Sequence, residues 1–332
     1  MPGPVGALEG CAEVSNGQCP GRTQSEPDGP DQSHTFKASG GVGDPPCEPP
    51  QTYSVCGRGA PRRAASATIR ATASLGATAA AAPLSDHGRM QGRRSPHLDW
   101  EGSFNARDLG GLPTGDGGRT RWGAAVRADS LDALTERGWE EACGHGIRTV
   151  IDLRNEDEWS ADVSARPASI TTLRMPLDEI EDREFWGGEW ETGPQFGTPL
   201  YYGPHLRRFP ATSAAVVAAI ANAEPGGVVF HCAGGQDRSG QVAMLVLALA
   251  GVDPEDIAED YLLSRERLPA RHAARGEDDQ GPILDAFLRE RGTSAGQVIV
   301  ETLAALDVEE VLMDGGLSGS DIRKLRARML DP

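Results

Sequence analysis

Large apolar side chains are nearly absent from the first 95 residues and recur regularly from Trp100 onward. There, short β-branched runs alternate with longer amphipathic stretches, the pattern of strands and helices in succession. Gly110 to Thr114 and Arg119 to Ala128 read as two strands joined by a turn over Gly115 to Gly118. Asp132 to Cys143 reads as a helix closed by Gly144 and Gly146, and Arg148 to Leu153 as a strand with Val150, Ile151 and Leu153 apolar. Ile170 to Met175 is a further strand, stopped at Pro176. Glu179 to Phe209 looks irregular; its Trp186, Trp190, Phe196, Tyr201 and Tyr202 suit either a core or the lining of a substrate cleft or lid.

Ala211 to Ala223 is an alanine-rich helix ended by Pro225 and Gly226, and it delivers the chain to Val228, Val229 and Phe230, a short buried strand. A polar, glycine-rich turn follows, then an apolar run from Val242 to Ala250 long enough for a helix. Asp253 caps and Pro254 opens another helix, Glu255 to Leu263. Arg265 to Gly281 is polar and expected to be a mobile loop. Pro282 to Arg289, Ser294 to Leu306, Val308 to Met313 and Ser320 to Met329 read as helices in series. The fold class expected is α/β: a central, mostly parallel sheet flanked by helices, with a helical C-terminal third packed on one face.

Composition divides the 332 residues at the same place. Residues 1–95 are rich in Gly, Pro, Ser and Ala and cannot offset their ordering entropy, so a disordered leader is expected, followed by one domain over 96–332. All six tryptophans lie between Trp100 and Trp190. The leader holds 9 basic and 8 acidic side chains and the remainder 23 and 41, so the net charge of −17 belongs to the folded part. Such acidity repels polyphosphate backbones and anionic surfaces, which argues against nucleic-acid partners. No apolar run approaches the roughly 18 residues of a membrane span.

The stretch ARRAASATIRATASLGATAAAAP faintly resembles a signal sequence, but Arg70 interrupts it and its residues are weakly apolar, so a cytoplasmic location is expected with export left open. Translation from Met90 rather than Met1 is a further expectation, since the well-patterned sequence begins just beyond it. Four of the six cysteines lie in the leader, leaving Cys143 and Cys232 in the domain, so no disulfide framework is implied.

The candidate chemistry lies in GVVFHCAGGQDRSGQVAMLVLALAG, from Gly227 to Gly251. Strand, loop and helix in that order aim free backbone N–H groups, and the positive end of a helix dipole, at an anion. Gly234 and Gly235 let the backbone curl closely, and Arg238 offers a planar fork for two phosphate oxygens. A free thiol with pKa near 8.5 is about 3% ionised at pH 7, and helix N-termini with nearby cations lower such values to roughly 3.5–7.5. Cys232 is therefore expected to be a thiolate nucleophile beside a phosphate cradle. The spacing alone is not specific: Cys56 and Arg62 repeat it with no strand before and no helix after.

With its context, the stretch resembles the cysteine-dependent phosphatases, and more closely a bacterial tyrosine-phosphatase family whose loop reads HCxxGKDRTG. NARDLGG, Asn105 to Gly111, resembles that family's NFRDLGG signature, and Val126 to Trp159 is similar to the strand, helix and strand that follow it there. The likeness covers Trp100 to Ser264 well and the remainder loosely. It implies a catalytic domain over 96–332 that forms a phosphocysteine intermediate, uses no metal and no organic cofactor, and acts on phosphotyrosine proteins or peptides. Phosphoinositides, or broad Ser/Thr/Tyr substrates, are the alternative, a phosphate-binding pseudophosphatase is another, and oligomeric state is left open.

The resemblance implies Cys232 as nucleophile, with Arg238 and the amides of Ala233, Gly234, Gly235 and Gln236 holding the phosphate. His231 is expected to orient the loop through ring N–H bonds and to help keep the thiolate ionised; ending a buried strand is its plain alternative. Ser239 either donates to the departing sulfur or caps the helix. No Trp-Pro-Asp loop is present, and similar loops with Asp before Arg use it as proton donor, which points to Asp237, with Asp178 the rival. Two positions depart from the family: its loop lysine is Gln236, which weakens the lipid reading, and the phenylalanine of its signature is Ala106. Arg107 with Asp108, and Asp152 with Arg154, are expected to form structural pairs.

Overall fold

The computed structural model describes residues 94–187, 190 and 193–331. The expected leader up to residue 93, with Cys56, Arg62 and Met90, lies outside the described residues.

Five strands form one sheet: β1 (Arg107–Asp108), β2 (Ala125–Ala128), β3 (Ile147–Asp152), β4 (Thr171–Arg174) and β5 (Gly227–His231). Their order is β1-β2-β5-β3-β4, with β1 antiparallel to β2 and the remaining neighbours parallel. β5 is central and buried throughout, as an apolar run between two parallel partners should be. The register sets Ala128, Asp152 and His231 level, so the three inner strands end together at one edge. In parallel sheets, ligands bind beyond that carboxyl edge.

Alternation along β5 sorts two cores. Val228 and Phe230 face the larger one, Val229 the smaller. The smaller core holds Val126, Val150, Leu131, Leu134 and Trp139, closed by α1 (Glu136–Gly144). Against the other face stand α4 (Pro210–Asn222) and α5 (Arg238–Leu249), preceded by the short helices α2 (Arg183–Trp186) and α3 (Tyr202–Arg208). Six further helices follow among the described residues: α6 (Pro254–Leu262), α7 (Ser264–Arg275), α8 (Gly281–Glu290), α9 (Ala295–Ala305), α10 (Val308–Asp314) and α11 (Gly319–Met329). Leu288, Ile299, Leu312, Leu325 and Met329 bring this helical third into the larger core, as expected for an α/β chain of this kind.

Several boundaries differ from the pattern. The expected mobile loop from Arg265 to Gly281 is largely α7, because Arg, Glu, Ala and Leu are good helix formers and Leu268 and Arg271 are buried under its polar outer face. It stops where Gly276 turns left-handed at φ 66°. The expected pair of strands from Gly110 to Ala128 keeps only Ala125–Ala128 as strand; its outer part has the isolated bridge Pro113 to Arg119, with Gly111 N donating to Thr120 O at 2.7 Å and Thr120 N to Leu112 O at 2.9 Å. The helix expected from Asp132 is a 3-10 turn over Leu131–Ala133, and α1 starts anew where Thr135 Oγ1 accepts from Gly138 N at 3.2 Å. Between Glu179 and Phe209, Trp186, Tyr201 and Tyr202 are core, and Phe196 is 47% exposed.

Arg107 and Asp108 do not pair with each other. Neighbours on a strand point to opposite faces, so Arg107 bonds Asp260 and Asp108 bonds His145 at 2.6 Å. Asp152 and Arg154 do pair, at 2.7 Å.

Candidate active site

β5 ends at His231, Cys232 follows, and α5 begins at Arg238, so Ala233 to Asp237 form the loop at the carboxyl edge of the sheet. Every carbonyl of that loop is bonded from behind. Ser130 N donates to Ala233 O at 3.1 Å. Asn105 Nδ2 donates to Gly234 O and Gly235 O at 3.0 and 3.2 Å, and Arg127 Nη2 to Gly235 O and Gln236 O at 3.0 and 2.8 Å. Tyr202 Oη donates to Asp237 O at 2.7 Å.

A planar trans peptide sets the N–H of the next residue opposite its carbonyl. The amides of residues 234 to 238 therefore point opposite to the bonds that hold the carbonyls, and among the described residues they meet no acceptor. Asp237 stands at the N-cap of α5 without a capping bond from its side chain, which leaves the helix's first-turn amides free for an anion.

Gly235 takes φ 71°, and a Cβ there would lie 2.6 Å from Asp129 N and 2.7 Å from Ala128 C, both backbone. Gly235→Ala is therefore expected to reduce phosphate affinity by at least about ten-fold, because the backbone cannot yield as a side chain could. Isothermal calorimetry with inorganic phosphate, on protein shown to be folded by circular dichroism, checks it.

Cys232 is 3% exposed, with its Sγ 3.8 Å from Ser239 Oγ. Ser239 lies inside α5 and Asp237 holds the cap position, so the capping role considered for Ser239 does not occur. Arg238 is gripped by two carboxylates. Its Nη1 meets Glu158 Oε2 and lies 3.3 Å from Asp178 Oδ2, and its Nη2 donates to Glu158 Oε1 at 2.6 Å. Burial opposes the Arg238 charge, yet the Glu158 and Asp178 contacts raise its pKa, so it stays cationic. Burial also opposes the Glu158 charge, but Arg238 outweighs it and holds Glu158 below the usual carboxylate range.

Asp178 and Asp237 behave differently. Burial pushes both carboxyls up. Asp178 has compensation in Arg238 and in Asn155 Nδ2, which donates to its Oδ2 at 3.0 Å. Asp237 forms no ion pair among the described residues: its Oδ1 accepts from the neutral Tyr261 Oη and Gln236 Nε2, each at 3.4 Å, while Arg238, Arg265 and Arg127 favour its charge only from farther off and do not offset burial. The Gln236 side chain turns toward Tyr261 Oη, at 3.2 Å, so Gln236 contributes its backbone amide to the cradle and its side chain to that buried group.

His231 is fully buried. Its Nδ1 is 3.3 Å from Cys232 O and its Nε2 is 3.8 Å from Asp152 Oδ2. Burial lowers its pKa to about 4 against the pull of Asp152, so near neutral pH it is uncharged and supplies no cation to the thiol, and its Nδ1–H donates to the Cys232 carbonyl. His205, which donates from Nε2 to Leu177 O at 3.1 Å, is likewise lowered to about 4 by burial. Both folded values lie below the unfolded value of 6.5. As pH falls from 6.5 toward 4 the unfolded chain takes up protons that the folded one refuses. Stability is expected to drop by on the order of 3 kcal/mol per histidine across that window, read as the midpoint of urea unfolding against pH.

Glu158 carried one local signal. Asn155-x-x-Glu158 is a capping box, in which Glu158 Oε2 also accepts from Asn155 N at 3.0 Å, so the same oxygen serves the cap and Arg238. Asn105, Arg127, Tyr202 and Asp260 carried no such signal for the loop they support.

Cys232, the loop amides and the Arg238 guanidinium clamped by Glu158 thus stand together between β5 and the start of α5, at the carboxyl edge of the sheet. A profile of the tyrosine phosphatase family matches residues 98–331, and the chain belongs to that family. The triple specificity protein phosphatase PtpB of Mycobacterium tuberculosis is 26% identical over 276 residues, 69% of this chain and 97% of that one. A tyrosine-protein phosphatase of Nostoc commune is 30% identical over 223 residues, 62% of this chain and 74% of that one. A Cupriavidus necator protein, also named as a tyrosine-protein phosphatase, is 29% identical over 191 residues, and the match spans 54% of this chain and 66% of that one. Among the described residues no helix is long and apolar enough to cross a membrane.

Proposed function

We propose that the protein hydrolyses phosphate monoesters, phosphotyrosine in proteins or peptides foremost, through a phosphocysteine on Cys232. The observation that supports this most directly is the set of five loop carbonyls held from behind, from Ala233 to Asp237, which leaves the amides that follow them turned the opposite way and without an acceptor among the described residues. Cys232 Sγ attacks phosphorus in line, and the amides with Arg238 hold the equatorial oxygens as charge spreads over them. Glu158 and Asp178 fix the guanidinium so that its fork needs no search for the phosphate.

Asp237 donates the proton to the leaving oxygen and later takes one from the water that splits the thiophosphate. Asp237 is preferred over Asp178 because a carboxyl without an ion pair keeps its proton more readily than one bonded to Arg238. Ser239 donates to the sulfur as it leaves.

The loop supplies no lysine, and the Gln236 amide is already engaged, so a second phosphate on the substrate finds no cation from this segment. That favours phosphotyrosine over phosphoinositides, and the acid surface of the domain disfavours an anionic membrane. The name of the M. tuberculosis relative supports the broader alternative, activity on several classes of phosphoester. The work is assigned to a cytoplasmic enzyme because a thiol nucleophile needs reducing surroundings. Phosphate release from phosphotyrosine peptide, phosphoserine peptide and phosphoinositide, measured side by side, tests the reading. The phosphotyrosine peptide should be turned over fastest; release from none of the three refutes it.

A further inference from the structure

α6 carries Asp260 into a fully buried position directly behind the phosphate loop. Its Oδ1 accepts from Arg107 Nε at 2.8 Å and its Oδ2 from Arg127 Nη1 at 2.6 Å, and both arginine side chains are 0% exposed. Arg107 Nη2 also donates to Asp260 O at 2.7 Å and to Ser264 Oγ at 3.0 Å. One carboxylate therefore serves as counter-ion to two guanidiniums that would otherwise repel each other in a medium of low dielectric.

Each guanidinium leads on to the loop. Arg127 Nη2 reaches Gly235 O and Gln236 O, and Arg107 Nη1 donates to Asn105 Oδ1 at 2.9 Å, leaving the Asn105 amide to hold Gly234 O and Gly235 O. Asn105 is set from its other side by Asp129, whose Oδ1 accepts from the Asn105 backbone amide at 3.1 Å. Asp260 so stands at the root of both arms that hold the middle of the loop.

We propose that Asp260 is a positioning residue of the reaction: it locks Arg107 and Arg127, and through them aims the amides of residues 235 to 237 at the phosphate. The proposal rests on the phosphatase reading of the loop. Asp260 touches no reacting atom, and its effect is on the binding of the oxyanion and of the equatorial oxygens in the transition state.

Asp260→Asn keeps the side-chain volume and removes the charge. Affinity for inorganic vanadate, measured by calorimetry on folded protein, is expected to fall about ten- to hundred-fold, in proportion to the donors misaimed. kcat/KM should fall by a similar factor for p-nitrophenyl phosphate and for an alkyl phosphate alike, because proton donation is not what is lost. In an Arg127→Met background the same change should weaken vanadate binding by a smaller factor than in the parent, since only the arm through Arg107 and Asn105 is left to lose.

A purely architectural Asp260 would lower the melting temperature and leave vanadate affinity untouched. If Asp260→Asn does not fold, Asn105→Ala cuts one arm while both arginines keep their counter-ion, and it carries the same expectation for vanadate. A folded variant of either kind that binds vanadate within two-fold of the parent overturns the proposal. A parent that binds vanadate but turns over no phosphoester sinks the phosphatase reading alone, with the positioning role decided by vanadate; a parent that binds none sinks both.

Discussion

Cys232→Ser is expected to reduce turnover of aryl phosphates by roughly 10⁴-fold or more, since a neutral hydroxyl is a far weaker nucleophile than the thiolate it replaces. Phosphate binding should survive within a few-fold, because the outward amides and Arg238 are untouched. Arg238→Ala gives the contrasting result: binding and turnover fall together, as the fork on the equatorial oxygens goes and Glu158 and Asp178 are left as unneutralised carboxylates facing an anion. Single-turnover kinetics with p-nitrophenyl phosphate, paired with phosphate calorimetry on each variant, separates the two. A serine variant that still turns over within ten-fold of the parent would remove Cys232 from the mechanism.

Asp237→Asn should split substrates by leaving group. For an alkyl phosphate, whose oxygen must be protonated as it departs, kcat should fall about 10²- to 10⁴-fold; for p-nitrophenyl phosphate the loss should be under about ten-fold. The basic limb of the pH profile for the alkyl substrate should also disappear, since the group that titrates there has been replaced. Asp178→Asn is the control: loosening Arg238 should slow both substrates by a similar factor. Equal losses for Asp237→Asn, with the leaving-group split appearing instead for Asp178→Asn, would transfer the proton to Asp178.

The parts of the site legible in the sequence are those that lie side by side in it. Cys232, Gly235, Asp237 and Arg238 share one loop whose apolar strand and helix announce it, so local pattern was enough. What holds the loop was not legible, because Asn105, Arg127 and Tyr202 reach it from β1, β2 and α3, and nothing near those residues marks their partners. Arg107 shows the limit well: its neighbour Asp108 looked like its partner, but strand geometry sends the two to opposite faces, and the true counter-ion lies on α6. Polarity misled over α7, where long charged side chains cover apolar surface and so hide an ordinary helix. The sheet survived such errors because β5 and its neighbours are fixed by dense apolar runs, whereas the hairpin before β2 depends on tertiary contacts that periodicity does not record.

The rear fastening of the loop has a consequence for how the activity arises as the chain folds. The donors come from points as far apart as Asn105 and Tyr202, with Asp260 behind them, so no excised segment should display even a trace of oxyanion affinity. Competence for the ligand and completion of the tertiary structure ought to appear in one step, making a bound oxyanion a sensor of the whole domain's integrity and its release an early warning of unfolding.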